Sequence, residues 1–455
     1  MSYPNNKMID LEIKYNQLIE KMRFDAEHYH PEFLKLEEYL KKINSLPLEQ
    51  VSEFSSLRKN PENEPYKEFL YVDISNVNIL TGEINIEILR GNEAPSRARK
   101  VVKENDIIIS TVRPNRNAVA IIPPYLDNQI CSTGFSVIKT KKINPLFLFT
   151  YLKTKFAVGQ FVRFIMASMY PAISQDEIGS ILIPIPSEGF QQMIESYVRL
   201  SFEKRKEAGK KYEEANKLLS EILGIEELAL EEKKTIEVSF NEIRISERFD
   251  VEYFLPKFFK IIEILKNAGF KLEKLKKICK EVIRYINPLE KPSHKFLYVE
   301  IGDIDVRTSD IISKKALGYE IPTSGRRFLK EGDFIISTVR PTRGAITIVP
   351  KELDSAVAST AFYICNAPSP LKEYLFIFLR TPIGLNQLGR PVVGAMYPTL
   401  KKNHIDEILI PLIPTGTQKS ISILVKEYFS LRKESKEIFE KAKKEIEGFI
   451  TKNSK

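Results

Sequence analysis

Ile108-Ile109-Ser110-Thr111-Val112-Arg113-Pro114 returns 227 positions later as Ile335-Ile336-Ser337-Thr338-Val339-Arg340-Pro341. The same shift of 227 carries Phe69-Leu70-Tyr71-Val72 onto Phe296-Leu297-Tyr298-Val299 and Met169-Tyr170-Pro171 onto Met396-Tyr397-Pro398. It also carries Ile181-Leu182-Ile183-Pro184 onto Ile408-Leu409-Ile410-Pro411. At the front, Arg23-Phe24-Asp25 matches Arg248-Phe249-Asp250 at a shift of 225, so a small length change lies between. Solenoid repeats run to about 20–50 residues, so this period means a duplicated domain. Duplication implies pseudo-twofold symmetry, suited to a target with two related halves.

Working outward, each copy opens on a helical stretch containing a Pro, 27–40 and 252–267. Short apolar segments follow at 69–74, 106–112, 119–122 and 135–138, and their β-branched content and turn punctuation predict strands. A helix over 145–164 and a strand over 181–186 complete an α+β globule. Segments 90–96 and 317–324 read as loops. Next, Ile194, Val198, Ser201, Arg205, Ala208, Tyr212, Ala215, Leu219 and Ile222 recur at alternating spacings of four and three, the seam of a coiled coil. Shifted by 227, the seam is Ile421, Val425, Tyr428, Arg432, Ser435, Phe439, Ala442, Ile446 and Phe449. Such stripes commonly pack on their own globule, but two equal seams can also bury each other. Helices of ~33 residues would span ~50 Å and, packed antiparallel, would hold the globules apart. The expected fold class is α+β: two duplicated globules separated by two long antiparallel coiled-coil helices, with pseudo-twofold symmetry. The boundaries are 1–186, 187–223 for the first helix, 224–247 for a linker, 248–414, and 415–451 for the second helix.

With 455 residues, 43% of them hydrophobic and 28% charged, the chain can bury several cores. A net charge of +9 permits a polyanionic partner. Cys131, Cys279 and Cys365 stand far apart, and His28, His30, His294 and His404 form no ligand cluster. Neither a disulfide framework nor a metal site is expected. No apolar run reaches membrane-spanning length and the N-terminus lacks the apolar core of a signal peptide, so a cytoplasmic protein without membrane contact is expected.

The strongest local feature is Ser110-Thr111-Val112-Arg113-Pro114-Asn115-Arg116 with its twin Ser337-Thr338-Val339-Arg340-Pro341-Thr342-Arg343. A strand delivers two hydroxyls and then two guanidinium groups on a turn stiffened by Pro. Arg binds phosphate bidentately and reads guanine, and Asn pairs with adenine. The bland alternative is that these Arg side chains brace the turn by pairing with local carboxylates. Basic residues cluster just upstream, Arg97, Arg99, Lys100 and Lys103 in one copy and Arg326, Arg327 and Lys330 in the other. Tyr170 and Tyr397 are candidate aromatic contacts, or core residues packed before a turn. Neither a phosphate-binding G-x-x-x-x-G-K-[ST] loop nor a dinucleotide G-x-G-x-x-G turn occurs. Ile122-Pro123-Pro124-Tyr125 has the Pro-Pro-Tyr of adenine methyltransferases, but Ile122 cannot hold an amino group. No paired carboxylates nominate a general acid and base, so no catalytic residue is assigned.

On these segments, in the order globule, helix, globule, helix, the chain resembles the specificity subunit of type I restriction-modification systems over 22–450. The resemblance implies a non-catalytic subunit with two target recognition domains, each reading one half of a bipartite DNA site. It also implies two helices that act as spacer and docking surface. The implied partners are double-stranded DNA, two modification subunits that bind S-adenosylmethionine and methylate adenine, and a restriction subunit that translocates and cuts. No cofactor is expected on this chain. Many members lead into each helix with Pro-Pro-Leu and Glu-Gln. Here Ile185-Pro186-Ser187-Glu188-Gly189-Phe190-Gln191-Gln192 and Leu412-Ile413-Pro414-Thr415-Gly416-Thr417-Gln418 depart from that pattern, which bears on where each helix starts. DNA contacts are expected from Arg97, Arg99, Ser110, Arg113, Asn115, Arg116, Tyr170, Arg326, Arg327, Ser337, Arg340, Thr342, Arg343 and Tyr397. Helix and partner contacts are expected from Ile194, Val198, Arg205, Tyr212, Leu219, Ile421, Val425, Arg432, Phe439 and Ile446. The rival classes are a partnerless coiled-coil scaffold and a stand-alone DNA-modifying enzyme.

Overall fold

The β-branched runs of each copy pair into two four-stranded sheets and one two-stranded sheet, because Val and Ile pack well on a pleated surface and Asn, Asp and Gly turn the chain between them. The structure, a computed structural model, describes residues 24–165, 171–225, 236–246, 248–392 and 398–454. Arg23, Met169, Tyr170, Met396, Tyr397 and the centre of the expected linker, 226–235, lie outside the described residues. In the first copy one four-stranded sheet runs Ser52–Phe54, Phe135–Thr140, Ile107–Ser110, Val119–Ile121. The other runs Glu87–Arg90, Glu68–Val72, Gln129–Ser132, Ala98–Val102, with the middle pair parallel. The second copy repeats both orders from its own strands, down to register: Phe54 faces Ile138 and Glu281 faces Cys365, each 227 further on.

Ile107 and Ile109 point into a core shared with helix Pro145–Leu152, whereas Ile108 points into a second core with Val72, Val102 and Val137. Burial on both faces explains why this strand is apolar without alternation. Gly91 and Gly318 are twins of another kind. A Cβ on Gly91 would stand 2.3 Å from the carbonyl oxygens of Pro61 and Glu64, and one on Gly318 would stand 2.3 Å from that of Pro288. Only glycine lets these turns approach so closely.

The helix expected over 145–164 is two helices, Pro145–Leu152 and Lys155–Ile165. In the second copy the break falls between Leu371–Arg380 and Pro382–Gly389, where the Thr381 hydroxyl caps Gly384 N–H at 3.2 Å and Pro382 starts the new helix. The segments expected to be loops at 90–96 and 317–324 begin at the ends of strands Glu87–Arg90 and Lys314–Leu317 and contain single 3-10 turns, Gly91–Glu93 and Gly318–Glu320.

Two long helices, Glu188–Leu223 and Thr415–Asn453, complete the described chain. The chain forms two compact units. One holds the residues up to Arg205 and those from Arg432 on, and the other holds Lys206–Leu431. Within each unit the two helices run antiparallel. In the first, Ser201 and Ser435 exchange hydroxyl-to-carbonyl bonds, both 2.9 Å, and Phe190 packs on Phe449. In the second, Lys211 pairs with Glu427 at 3.0 Å and Tyr212 packs on Tyr428. The seams are not dry zippers between helices alone. Ile194, Val198, Phe439 and Ile446 share one core with the first globule, and Leu219, Ile421 and Val425 share another with the second. Each helix pair therefore buries its seam partly on itself and partly on a globule, joining the two packings that its periodicity allows.

Candidate nucleic-acid interface

Each Arg-Pro turn is held by a ladder of backbone bonds. Thr111 donates from its amide and its hydroxyl to Gly134 O, at 2.8 and 2.9 Å, and Arg113 N–H donates to Pro171 O at 2.7 Å. The twin uses Thr338 on Ala361 O, both 2.8 Å, and Arg340 N–H on Pro398 O at 2.8 Å. Thr133 N–H donates to Arg97 O, so Arg97 sits on the same edge as the turn. Arg113 and Arg340 have φ of 49° and 48°, the left-handed region that glycine adopts without strain. A 3-10 turn follows, Pro114–Arg116 or Pro341–Arg343, closed by left-handed Asn117 or Gly344. Both copies place Arg where Gly would fit more easily, which points to a use for the guanidinium.

The side chains on this edge fall into three groups. Arg113, Asn115, Arg116, Thr342 and Arg343 are exposed, and Arg340 is half-buried. Among the described residues Arg113, Arg116 and Arg343 pair with no carboxylate, so these three do not brace the turn through ion pairs. Arg97 is exposed but pairs with Asp73 at 2.9 Å, Arg99 reaches Glu62 at 3.3 Å, and Arg326 bonds Asn287 and the carbonyl of Thr323. The third group is buried, and here the expectation needs correction. Arg327 is 1% exposed, pairs with Glu281 at 3.3 Å and donates to Val282 O at 2.7 Å, so it is a framework residue that DNA cannot reach. Ser110 and Ser337 are 2% and 1% exposed, and their hydroxyls donate back to Val112 O and Val339 O at 2.7 Å. They shape the turn and offer nothing to a ligand. Lys100, the twin of Arg327, is likewise half-buried, and burial lowers its pKa below the ordinary lysine value.

Of the seam residues, Arg432 makes a two-point ion pair with Glu83, at 3.0 and 3.3 Å, and Arg205 approaches the same carboxylate at 3.9 Å. Tyr212 accepts a hydrogen bond from Arg380 at 3.0 Å. Sequence reading missed Glu83, Lys153 and Arg380. One signal was available, since the shift of 227 sets Lys153 on Arg380, a cation kept at the end of an apolar helix. All three cysteines are buried, and burial pushes the Cys131 thiol up to about 12. No described helix is long and apolar enough to cross a membrane.

Residues 41–199 match the sequence model of the family described as type I restriction modification DNA specificity domain. The first globule is therefore similar to a type I DNA specificity domain over that span. The second globule, outside that match, is its internal copy by register and sheet order. The chain is similar to the HindI specificity subunit of a type I restriction enzyme from Haemophilus influenzae, 30% identical over 116 residues, which is 24% of this chain. That match spans only 25% of the relative's length. It also resembles two solved structures. One is the HsdS subunit from Thermoanaerobacter tengcongensis, with 21% identity, 88% of this chain and 96% of that one covered, and TM-score 0.33. The other is the S subunit of a type I restriction-modification system from M. genitalium, with 12% identity, 90% and 95% covered, and TM-score 0.40.

Proposed function

We propose that this chain is the DNA-recognition subunit of a type I restriction-modification complex, each globule reading one half of a bipartite duplex site. The observation that carries the reading is the exposed turn bearing Arg113 and Arg116 on a specificity domain, repeated in the internal copy with Arg340 and Arg343. Arg residues shared by both copies suit phosphate and framework contacts, which carry no sequence information. Base reading then belongs to segments that differ between copies, 57–67 against 280–295 and 90–99 against 317–326. The long helices are the docking surface for two modification subunits, which bring S-adenosylmethionine and the adenine-methylating chemistry. A restriction subunit joins the same cytoplasmic assembly. A partnerless scaffold would have no use for an exposed Arg held left-handed as Arg113 is, and a stand-alone enzyme would need catalytic groups that the sequence does not supply.

Exchanging residues 22–186 for the same region of a relative with another target tests the reading. In a host carrying the modification subunits, methylome sequencing is expected to show one half of the methylated site replaced and the other half kept. A change in both halves, or in neither, would remove the one-globule, one-half-site reading.

A further inference from the structure

A buried backbone carbonyl must find a donor, and the last carbonyl of each Arg-Pro turn finds one on a basic side chain, buried in the first unit and half-buried in the second. In the first unit Lys153, 6% exposed, donates from Nζ to Asn117 O at 2.9 Å and to Ile79 O at 3.0 Å. Asn117 is fixed a second time, its Nδ2 donating to Leu152 O at 2.7 Å. In the second unit the twin Arg380 donates from Nη1 to Gly344 O at 3.0 Å and to Ser309 Oγ at 2.6 Å, and from Nη2 to Arg307 O at 2.6 Å.

The loops gripped by these cations are themselves twins, closed by Gly82 N–H on Asn78 O and by Ser309 N–H on Asp305 O. Both are also held by the long helices. Glu83 of the first loop takes the two-point pair with Arg432, and Thr308 O of the second accepts the Tyr428 hydroxyl. Arg380 closes the connection directly, its Nε on the Tyr212 hydroxyl at 3.0 Å and its guanidinium over the rings of Tyr212 and Phe376 at 5.6 and 5.4 Å. The same path of turn, cation, loop and long helices therefore exists in each unit.

We infer that Lys153 and Arg380 are positioning residues that set the backbone of the Arg-Pro turns from inside and tie each turn to the long helices. This rests on the reading of those turns as DNA contacts. A left-handed Arg keeps its backbone only if the structure around it over-determines the turn, and one basic side chain per unit does this, Lys153 buried and Arg380 half-buried, neither paired with a carboxylate among the described residues. Burial, with Lys443 and Arg205 nearby, holds Lys153 well below the ordinary lysine range. Its Nζ donors are spent on the two carbonyls. Arg380 stays charged and spreads its donors over more acceptors.

The test uses the full chain, amide hydrogen exchange and binding to a mixed-sequence DNA duplex. Arg380→Met is expected to speed exchange of the Arg340, Arg343 and Gly344 amides about tenfold, leaving those of Arg113, Arg116 and Asn117 unchanged. Lys153→Met is expected to do the reverse. Each variant should bind the duplex several-fold more weakly. The swaps suggested by the twins, Arg380→Lys and Lys153→Arg, are expected to recover most of the protection and affinity. Unchanged turn exchange in the Met variants would overturn the inference. So would faster exchange throughout a unit, with a matching fall in melting temperature and no rescue by the swaps. Faster exchange confined to the turn with duplex affinity intact would uphold the positioning role and remove the DNA role of the turns.

Discussion

Phe439→Ala is expected to destabilise the first unit by ~3–5 kcal/mol, a large part of the ~5–15 kcal/mol that a typical domain has. Phe439 is 1% exposed, on a seam position of the second long helix, with its ring 5.6 Å from that of Phe149 in the first globule. Removing it opens a cavity where helix pair and globule meet, walled by Val198, Ala442 and the helix Pro145–Leu152. That wall is rigid secondary structure and collapses poorly into the space. Phe149→Ala should be similarly costly. Because the two rings share one contact, the double variant should fall short of the sum by about 1 kcal/mol or more. Urea unfolding of the two single variants and the double one measures this. Strict additivity would mean that the long helix and the globule do not pack through this pair, and an unchanged midpoint in Phe439→Ala would deny that the seam is buried.

That seam illustrates how far the fold could be read from the sequence. Alternating spacings of four and three identified the buried face correctly at Ile194, Val198, Phe439 and Ile446, since periodicity reports which face leaves water. Periodicity does not report what covers the face, so the globule half of each core was not legible. The duplication was legible because a constant shift survives divergence, and it extends to sheet register and to the left-handed φ of both turns. The broken helix was half legible: Pro382 announces it in one copy, but Lys153-Thr154 carries no such breaker. At the candidate interface, Arg327 was indistinguishable from Arg326 by type. Strand alternation turns one outward and the other inward onto Glu281, and a single residue of register decides between them.

The difference between those two kinds of Arg supplies the other large effect. Arg113→Ala with Arg116→Ala is expected to weaken binding to a mixed-sequence duplex ten- to a hundredfold at moderate salt and to lower the salt slope by about two. Each guanidinium is exposed and, among the described residues, pairs with no carboxylate, so neither must break an ion pair before meeting a phosphate. Arg97 is the intermediate case. It already pairs with Asp73 at 2.9 Å, and its removal should change the slope less than removal of Arg113. Arg327→Met is the control: its charge is buried on Glu281, so the slope should stay as in the parent chain while stability falls, because Glu281 keeps only Lys402 and Val282 O loses its donor. Fluorescence anisotropy across a salt series, with melting temperature for each variant, separates the three. A slope change in Arg327→Met without one in the Arg113 and Arg116 double variant would place the phosphate contacts elsewhere on the globule.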